Sequence, residues 1–267
     1  MTAPVSRAGR QIVLHVAPWR PAPGWLPPAT RAYAIGDIHG HVDLLDVLLG
    51  AIHAEAVSAA AAHPGLRQVL VTLGDYIDRG PRSDAVLDRL SGFDLPGLEC
   101  HCLRGNHEEF LLEFLTTPLK VTSWLVHGGR ETLDSYGIAP PDPFDPVAVA
   151  AASAALRAHL PPAHRAFLAG LPDSFRLGGY GFVHAGLRPG LPLEAQDPRD
   201  LRWIREDFLE SDADFGCVVV HGHTIVPAPV IRRNRIGLDT GAYATGRLTA
   251  LVLDQSSCRL LTAARTG

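Results

Sequence analysis

The 267-residue chain predicts an α/β (α+β) fold, and three observations point there. Its first half alternates short apolar runs with helix-like stretches in the order β-α-β-α-β. Each of those runs ends in a glycine-flanked turn carrying Asp, Asn or His. Beyond a helical, proline-broken middle, short strands follow one another to the C-terminus. In open sheets of this kind ligands gather outside the carboxyl ends of the strands, so the turns themselves become the candidate site.

Residues 1–30 hold Pro18, Pro21, Pro23, Pro27 and Pro28 and read as a Pro-rich N-terminal extension. The domain proper is expected over 31–267. Its first strand starts at Arg31 and runs into Gly36; residues 41–62 follow as a long Ala- and Leu-rich helix. Residues 68–73 form a continuous apolar run, as a buried strand should. Ser83 suits the cap of a helix through Leu90, and residues 98–103 make the third strand. Helices are expected at 108–115, 146–160 and 161–171, so 109–175 reads as a helical insertion, a lid or side wall without an obvious catalytic group. Further strands are expected at 181–184, 217–221, 230–231, 237–238, 248–253 and 259–262.

Apolar residues make up 46% of the chain, which fits a globular protein. A net charge of −4 gives no basic field for a nucleic-acid partner. No run is expected to approach the length of a membrane span, and the apolar stretch 12–16 is too short for a signal-peptide core. The expectation is a cytoplasmic protein without nucleic-acid or membrane partners, its oligomeric state unknown. Cys100, Cys102, Cys217 and Cys258 read as buried thiols in a reducing compartment. Two residues apart on one strand, Cys100 and Cys102 share a face and do not easily bridge each other.

Five motifs carry the chemistry: Gly36-Asp37-Ile38-His39-Gly40, Gly74-Asp75-Tyr76-Ile77-Asp78-Arg79-Gly80, Gly105-Asn106-His107-Glu108, Val183-His184-Ala185-Gly186 and Gly222-His223-Thr224. Asp37 and His39 can face the same way across an extended turn. Asp75 has two oxygens and can bridge two ions. One ion is thus expected on Asp37, His39 and Asp75, the other on Asp75, Asn106, His184 and His223. Mixed O/N ligation suits manganese first, with iron, zinc, cobalt or nickel as alternatives. Such an ion pair clamps attacking and leaving oxygens and delivers hydroxide at neutral pH. His107 should point away from its ligating neighbour and serve as general acid, with Asp78 orienting its ring. Arg79 offers a bidentate fork to phosphate, and Asn106 lies beside the same phosphate position. In residues 201–208, Arg205 projects along a helical stripe with Leu201, Ile204 and Phe208, where its charge needs a partner, read as phosphate. The remaining histidines read as surface or hydrogen-bonded groups, His221 being the doubtful one beside His223.

On these motifs, with Trp203-Ile-Arg-Glu206 and the run from Asp239 to Thr249, the chain resembles the PPP-type Ser/Thr protein phosphatases. The bacterial and phage branch, within the calcineurin-like metallophosphoesterases, is the nearest pattern, over roughly 31–254. The resemblance implies a β-sandwich of two mixed sheets flanked by helices, with a dinuclear site at one end. It places the metals on Asp37, His39, Asp75, Asn106, His184 and His223, the acid and its orienter on His107 and Asp78, and the phosphate on Arg79 and Arg205. The expected activity is in-line attack by a metal-bridging hydroxide on a phosphoprotein or small phosphoester, at Ser, Thr or also Tyr. Ile225 stands where the wider superfamily often has a second His, as in the PPP branch. Glu108 departs from the Gly-Asn-His-Asp usual in symmetrical dinucleoside-polyphosphate hydrolases. Hydrolysis of diadenosine tetraphosphate is the rival activity, and a non-catalytic phosphate-binding protein the remote one.

Overall fold

The computed structural model describes residues 11–92 and 95–266. Its elements run β1 (Ile12–Val16), β2 (Arg20–Pro21), β3 (Thr30–Ile35), α1 (Val42–Ala62), β4 (Arg67–Thr72), α2 (Ser83–Ser91), β5 (Glu99–Cys102) and α3 (Asn106–Thr116). A π-turn at Leu125–Gly129 leads into α4 (Arg130–Ser135), followed by α5 (Pro146–His159), α6 (Pro162–Gly170), β6 (Ser174–Leu177) and β7 (Tyr180–Val183). The chain closes with α7 (Pro198–Trp203), α8 (Glu206–Leu209), β8 (Val218–His221), β9 (Val230–Ile231), β10 (Arg235–Gly237), α9 (Ala242–Thr245), β11 (Arg247–Asp254) and β12 (Ser257–Arg265).

Two mixed sheets result. One has the order β1-β12-β11-β3-β4-β5, with β2 also on β12; the other has the order β6-β7-β8-β10-β9. β3, β4 and β5 are mutually parallel, as are β7, β8 and β10. Period-two alternation sorts each strand between two cores. Ala32, Ala34, Val69, Val71, Leu251 and Leu253 face Phe182, Val218, Val220 and Ile236 between the sheets. Tyr33, Ile35, Leu70, Ala250 and Val252 turn the other way onto the helices, against Leu44, Leu48, Ile52, Phe114 and Trp124. Val183, Val219 and Leu201 close a third layer with Phe208 outside the second sheet. The fold is therefore the expected sandwich flanked by helices.

Four expectations are corrected. Residues 11–30 are not merely an appendage to a domain starting at 31: β1 pairs antiparallel with β12, and Ile12 and Leu14 pack on the helical core. Pro21 is accommodated because β2 lies at a sheet margin, where a missing N–H costs little. Residues 1–10 of the proposed extension lie outside the described residues. Ser83 does not cap α2; Arg82 holds that position, and the Ser83 hydroxyl accepts from Asp78 N instead. The helix α1 is long and apolar enough, by length and composition, to cross a membrane. In the fold its Leu44, Leu45, Leu48 and Ile52 are fully buried in the core, which accounts for that composition. The fourth concerns Arg205. The helix breaks there, α7 ending at Trp203 and α8 starting at Glu206, so Arg205 is exposed rather than part of an apolar stripe.

Candidate metal centre

Every motif lands just beyond a strand's carboxyl end: Asp37 after β3, Asp75 after β4, Asn106 after β5, His184 after β7 and His223 after β8. Since β3, β4 and β5 belong to one sheet and β7 and β8 to the other, the site straddles the open end of the sandwich. Among the described residues, seven non-glycine positions have positive φ, and five are His39, Asp75, Asp78, Arg79 and His223. Such backbone is costly away from glycine and persists only where its surroundings over-determine it. Here those surroundings are close approaches: a Cβ at Gly222 would lie 1.9 Å from Asp37 Oδ1.

The imidazole tautomers are fixed by backbone carbonyls. His184 Nδ1 donates to Leu73 O at 2.9 Å, which leaves Nε2 as a lone pair. That lone pair faces Asn106 Oδ1 at 2.9 Å, His223 Nδ1 at 3.2 Å and Asp75 Oδ1 at 3.4 Å. His39 Nδ1 likewise donates to Ile77 O at 2.8 Å, and its Nε2 faces Asp75 Oδ2 at 3.5 Å. Asp75 thus turns one oxygen to each group, the arrangement a bridging carboxylate needs. Asp37 Oδ2 accepts from His223 N, while Oδ1 is buried with no hydrogen-bond partner among the described residues. The His184 Nε2 lone pair turned onto Asn106 and Asp75 acceptors, and the orphaned Asp37 oxygen, fit divalent cations held through O and N atoms.

Charge tells the same story. Burial first, then the Asp239 and Asp75 carboxylates, push the Asp37 carboxyl well above its ordinary range. Burial likewise raises Asp239 to about 6. Buried carboxylates that repel one another are stabilised by a cation between them. Burial lowers His39 to about 3 and His223 to about 2, and lowers His184 as well. The three rings are therefore neutral at pH 7, the form that ligates a metal.

Beside this cluster His107 Nδ1 donates to Asp78 Oδ2 at 2.6 Å, and its Nε2 lies 3.8 Å from Asp75 Oδ2. Burial disfavours the imidazolium, but Asp75 and the Asp78 hydrogen bond outweigh it and raise the His107 pKa. Arg79 donates to His39 Nε2 at 3.1 Å and stacks over Tyr243, 4.6 Å from its centroid. Arg205 reaches the same mouth from the other side, with Nη1 at 3.4 Å from Thr224 Oγ1. Ile225, at the position of the absent second His, is 41% exposed and lies along Gly241. His221 stays out of the cluster: its Nδ1 meets Gly222 O and its ring packs edge-on to Phe208.

Several residues were not foreseen. Glu108, fully buried, accepts from the backbone N–H groups of Asp75, Tyr76 and Gly105 and so pins two motif turns together. Its place three residues after Gly105 is the signal for an N-terminal helix carboxylate that reaches back. Asp239 and Tyr243 stand within a run noted only for its resemblance. Trp124 and Thr132, which hydrogen-bond Asp78, come from the insertion and had no motif to announce them.

A two-sheet sandwich with acidic and imidazole ligands at its open end defines a metallophosphoesterase. Residues 30–245 match the calcineurin-like phosphoesterase family, and the chain belongs to it; it is a phosphoester hydrolase. It is similar to bis(5'-nucleosyl)-tetraphosphatase PrpE (asymmetrical) of Bacillus thuringiensis and of Bacillus cereus. Each is 27% identical over 232 residues, covering 81% of this chain and 88% of the relative. A crystal structure described as a candidate diadenosine tetraphosphatase superposes with TM-score 0.58 at 22% identity, over 91% of this chain and 97% of that one. A cold-active protein tyrosine phosphatase variant does so with TM-score 0.53 at 17% identity, over 88% and 80%. These two solved structures share the fold.

Proposed function

We propose that this hydrolase is a metal-dependent phosphomonoesterase whose substrates are phosphoserine and phosphothreonine proteins, with phosphotyrosine also accepted. One observation carries the reading: the His107–Asp78 pair at 2.6 Å, set beside the converging ligands. An alkoxide leaves poorly unless it is protonated, and a raised imidazolium supplies that proton. A nucleotide phosphate is a far better leaving group and has less use for the pair.

Asp37, His39 and Asp75 would hold one divalent ion, and Asp75, Asn106, His184 and His223 the other, manganese being the first choice. The chemistry expected of a bound ion pair is activation of water and neutralisation of phosphoryl charge. The protein's own groups do the rest. The forks of Arg79 and Arg205 orient the phosphoryl oxygens from two sides, with Asn106 beside them. Asp78 keeps the His107 Nδ1 proton in place, so Nε2 presents its proton toward the departing oxygen. The thiols of Cys102, Cys217 and Cys258 fit a cytoplasmic setting.

A second reading is favoured by the PrpE relatives: hydrolysis of a dinucleoside polyphosphate in the same site. Chelator-stripped protein given manganese, then offered p-nitrophenyl phosphate, a phosphoserine peptide and diadenosine tetraphosphate, separates the two. Fast release of phosphate from the peptide supports the phosphatase; a strong preference for the dinucleotide transfers the assignment. No turnover with any substrate across several metals would leave a phosphate-binding protein.

A further inference from the structure

We infer that the segment from Trp124 to Thr132, in the helical insertion, is a positioning device for the acid–orienter pair. The inference rests on the reading of His107 as general acid. Asp78 is fully buried, and its carboxylate is held from three directions. Trp124 Nε1 donates to Oδ2 at 2.7 Å, Thr132 Oγ1 donates to Oδ1 at 2.6 Å, and His107 donates to Oδ2. The Asp78 N–H in turn donates to Thr132 Oγ1 and Ser83 Oγ. Between Trp124 and Thr132 the chain passes through a π-turn whose Gly128 has φ 116°. At that kink Gly128 O accepts from the Arg79 backbone N–H and His127 O accepts from Arg79 Nε. A Cβ on Gly128 would meet the Arg79 backbone N at 2.6 Å.

One short segment therefore grips two consecutive residues, the orienting carboxylate and a phosphate-facing arginine. Asp78 sits at φ 72° and Arg79 at φ 66°, so the backbone alone does not hold them there at low cost. The insertion supplies the missing constraint: rigid donors fix the carboxylate plane, and that plane fixes the His107 ring. Trp124 and Thr132 act through Asp78 and touch no reacting atom.

The test compares phenyl phosphate, whose leaving group needs a proton, with p-nitrophenyl phosphate, whose anion leaves unaided at neutral pH. Trp124→Phe keeps an aromatic ring beside Phe114 and removes the N–H donor together with part of the buried indole, so Thr132→Val is the cleaner donor deletion. Thr132→Val removes the hydroxyl at constant shape, and Thr132→Ser restores it. Both donor-less variants should lose about ten- to hundredfold in kcat on phenyl phosphate, the range seen when an orienting partner is removed. The loss on p-nitrophenyl phosphate should be much smaller, with KM and bound metal as in the parent and Thr132→Ser recovering the rate. Equal losses on both substrates, or none, would overturn the inference. His107→Asn is the control. If it too is indifferent to the leaving group, the acid assignment itself has failed. A leaving-group-selective His107→Asn beside unselective Trp124 and Thr132 variants removes the positioning device alone. Should Trp124→Phe fail to fold, the Thr132→Val and Thr132→Ser pair decides by itself.

Discussion

The strand-end turns and the helical insertion hold parts of one site by opposite means. In the turns, ligands are fixed by backbone: left-handed φ at His39, Asp75 and His223, and glycines pressed against neighbouring groups. In the insertion, side-chain donors from Trp124 and Thr132 hold a carboxylate they never share with the ligand cluster. Backbone fixation has no intermediate setting, so damage there removes a ligand outright. Side-chain fixation is graded, because each lost donor leaves others in place. Metal binding and proton delivery should therefore separate under mutation.

The largest effect should come at Asp75, whose two oxygens face both groups. Asp75→Asn is expected to cost both ions and on the order of a thousandfold or more in turnover, as when one member of a concerted catalytic set is lost. Elemental analysis that still finds two ions per chain would defeat the bridging role. Next is His107→Asn, expected to cost about a hundred- to ten-thousandfold in kcat while leaving metal content intact. Loss of metal in that variant would contradict the separation of the two functions. Gly222→Ala probes the backbone side alone: its Cβ would displace Asp37 Oδ1, and a shift of about 1 Å can cost about a hundredfold in rate. Reduced metal occupancy should accompany that loss; full occupancy with full activity would show that the close approach relaxes freely.

How far the sequence spoke follows the same division. A ligand fixed by backbone needs glycine and a strand end, both of which leave a local signature, so the five turns could be read in order. The β-α-β-α-β alternation was legible because period-two burial leaves apolar runs such as residues 68–73. The grip on Asp78 left no such trace, since Trp124 and Thr132 lie 46 and 54 residues from it and look like ordinary helix residues. Arg205 was misplaced for a related reason: the apolar spacing of Leu201, Ile204 and Phe208 survives a helix break, because residues on either side of the break still pack inward. β1 was hidden by the prolines that follow it, although only its pairing with β12 decides its conformation.

Two buried neutral imidazoles, His41 and His221, contribute stability that acid should remove. His41, lowered to about 4 by burial and by Arg265, and His221, lowered to about 4 by burial, stay uncharged in the folded chain. Unfolded, each takes up a proton near its ordinary pKa of about 6.5. At these two rings the unfolded state then binds more protons, so their contribution to stability rises with pH between about 4 and 6.5, against the opposite contribution of the raised Asp37 and Asp239 carboxyls. Denaturant melts of metal-free parent and His41→Gln protein at pH 7 and pH 5 check this; the same pH-dependent change in both would mean that the His41 ring is solvated in the fold.

The smallest effect should fall on Arg205, and it sharpens the comparison because Arg79 is its counterpart. Arg79 is held by His127 O, with its guanidinium over Tyr243 and its backbone N–H on Gly128 O, so its fork is set before substrate arrives. Arg205 is exposed, leaves a helix break, and has one long hydrogen bond to Thr224. A pre-set fork can stabilise the transition state selectively, whereas a mobile one contributes mainly to ground-state capture of phosphate. Arg79→Ala is therefore expected to lower kcat, and Arg205→Ala to raise KM by about tenfold with kcat nearly kept, the scale of one charge-assisted hydrogen bond. Steady-state kinetics on p-nitrophenyl phosphate read both. An unchanged KM in Arg205→Ala would take this arginine out of the phosphate site and leave Arg79 as the remaining proposed arginine contact there.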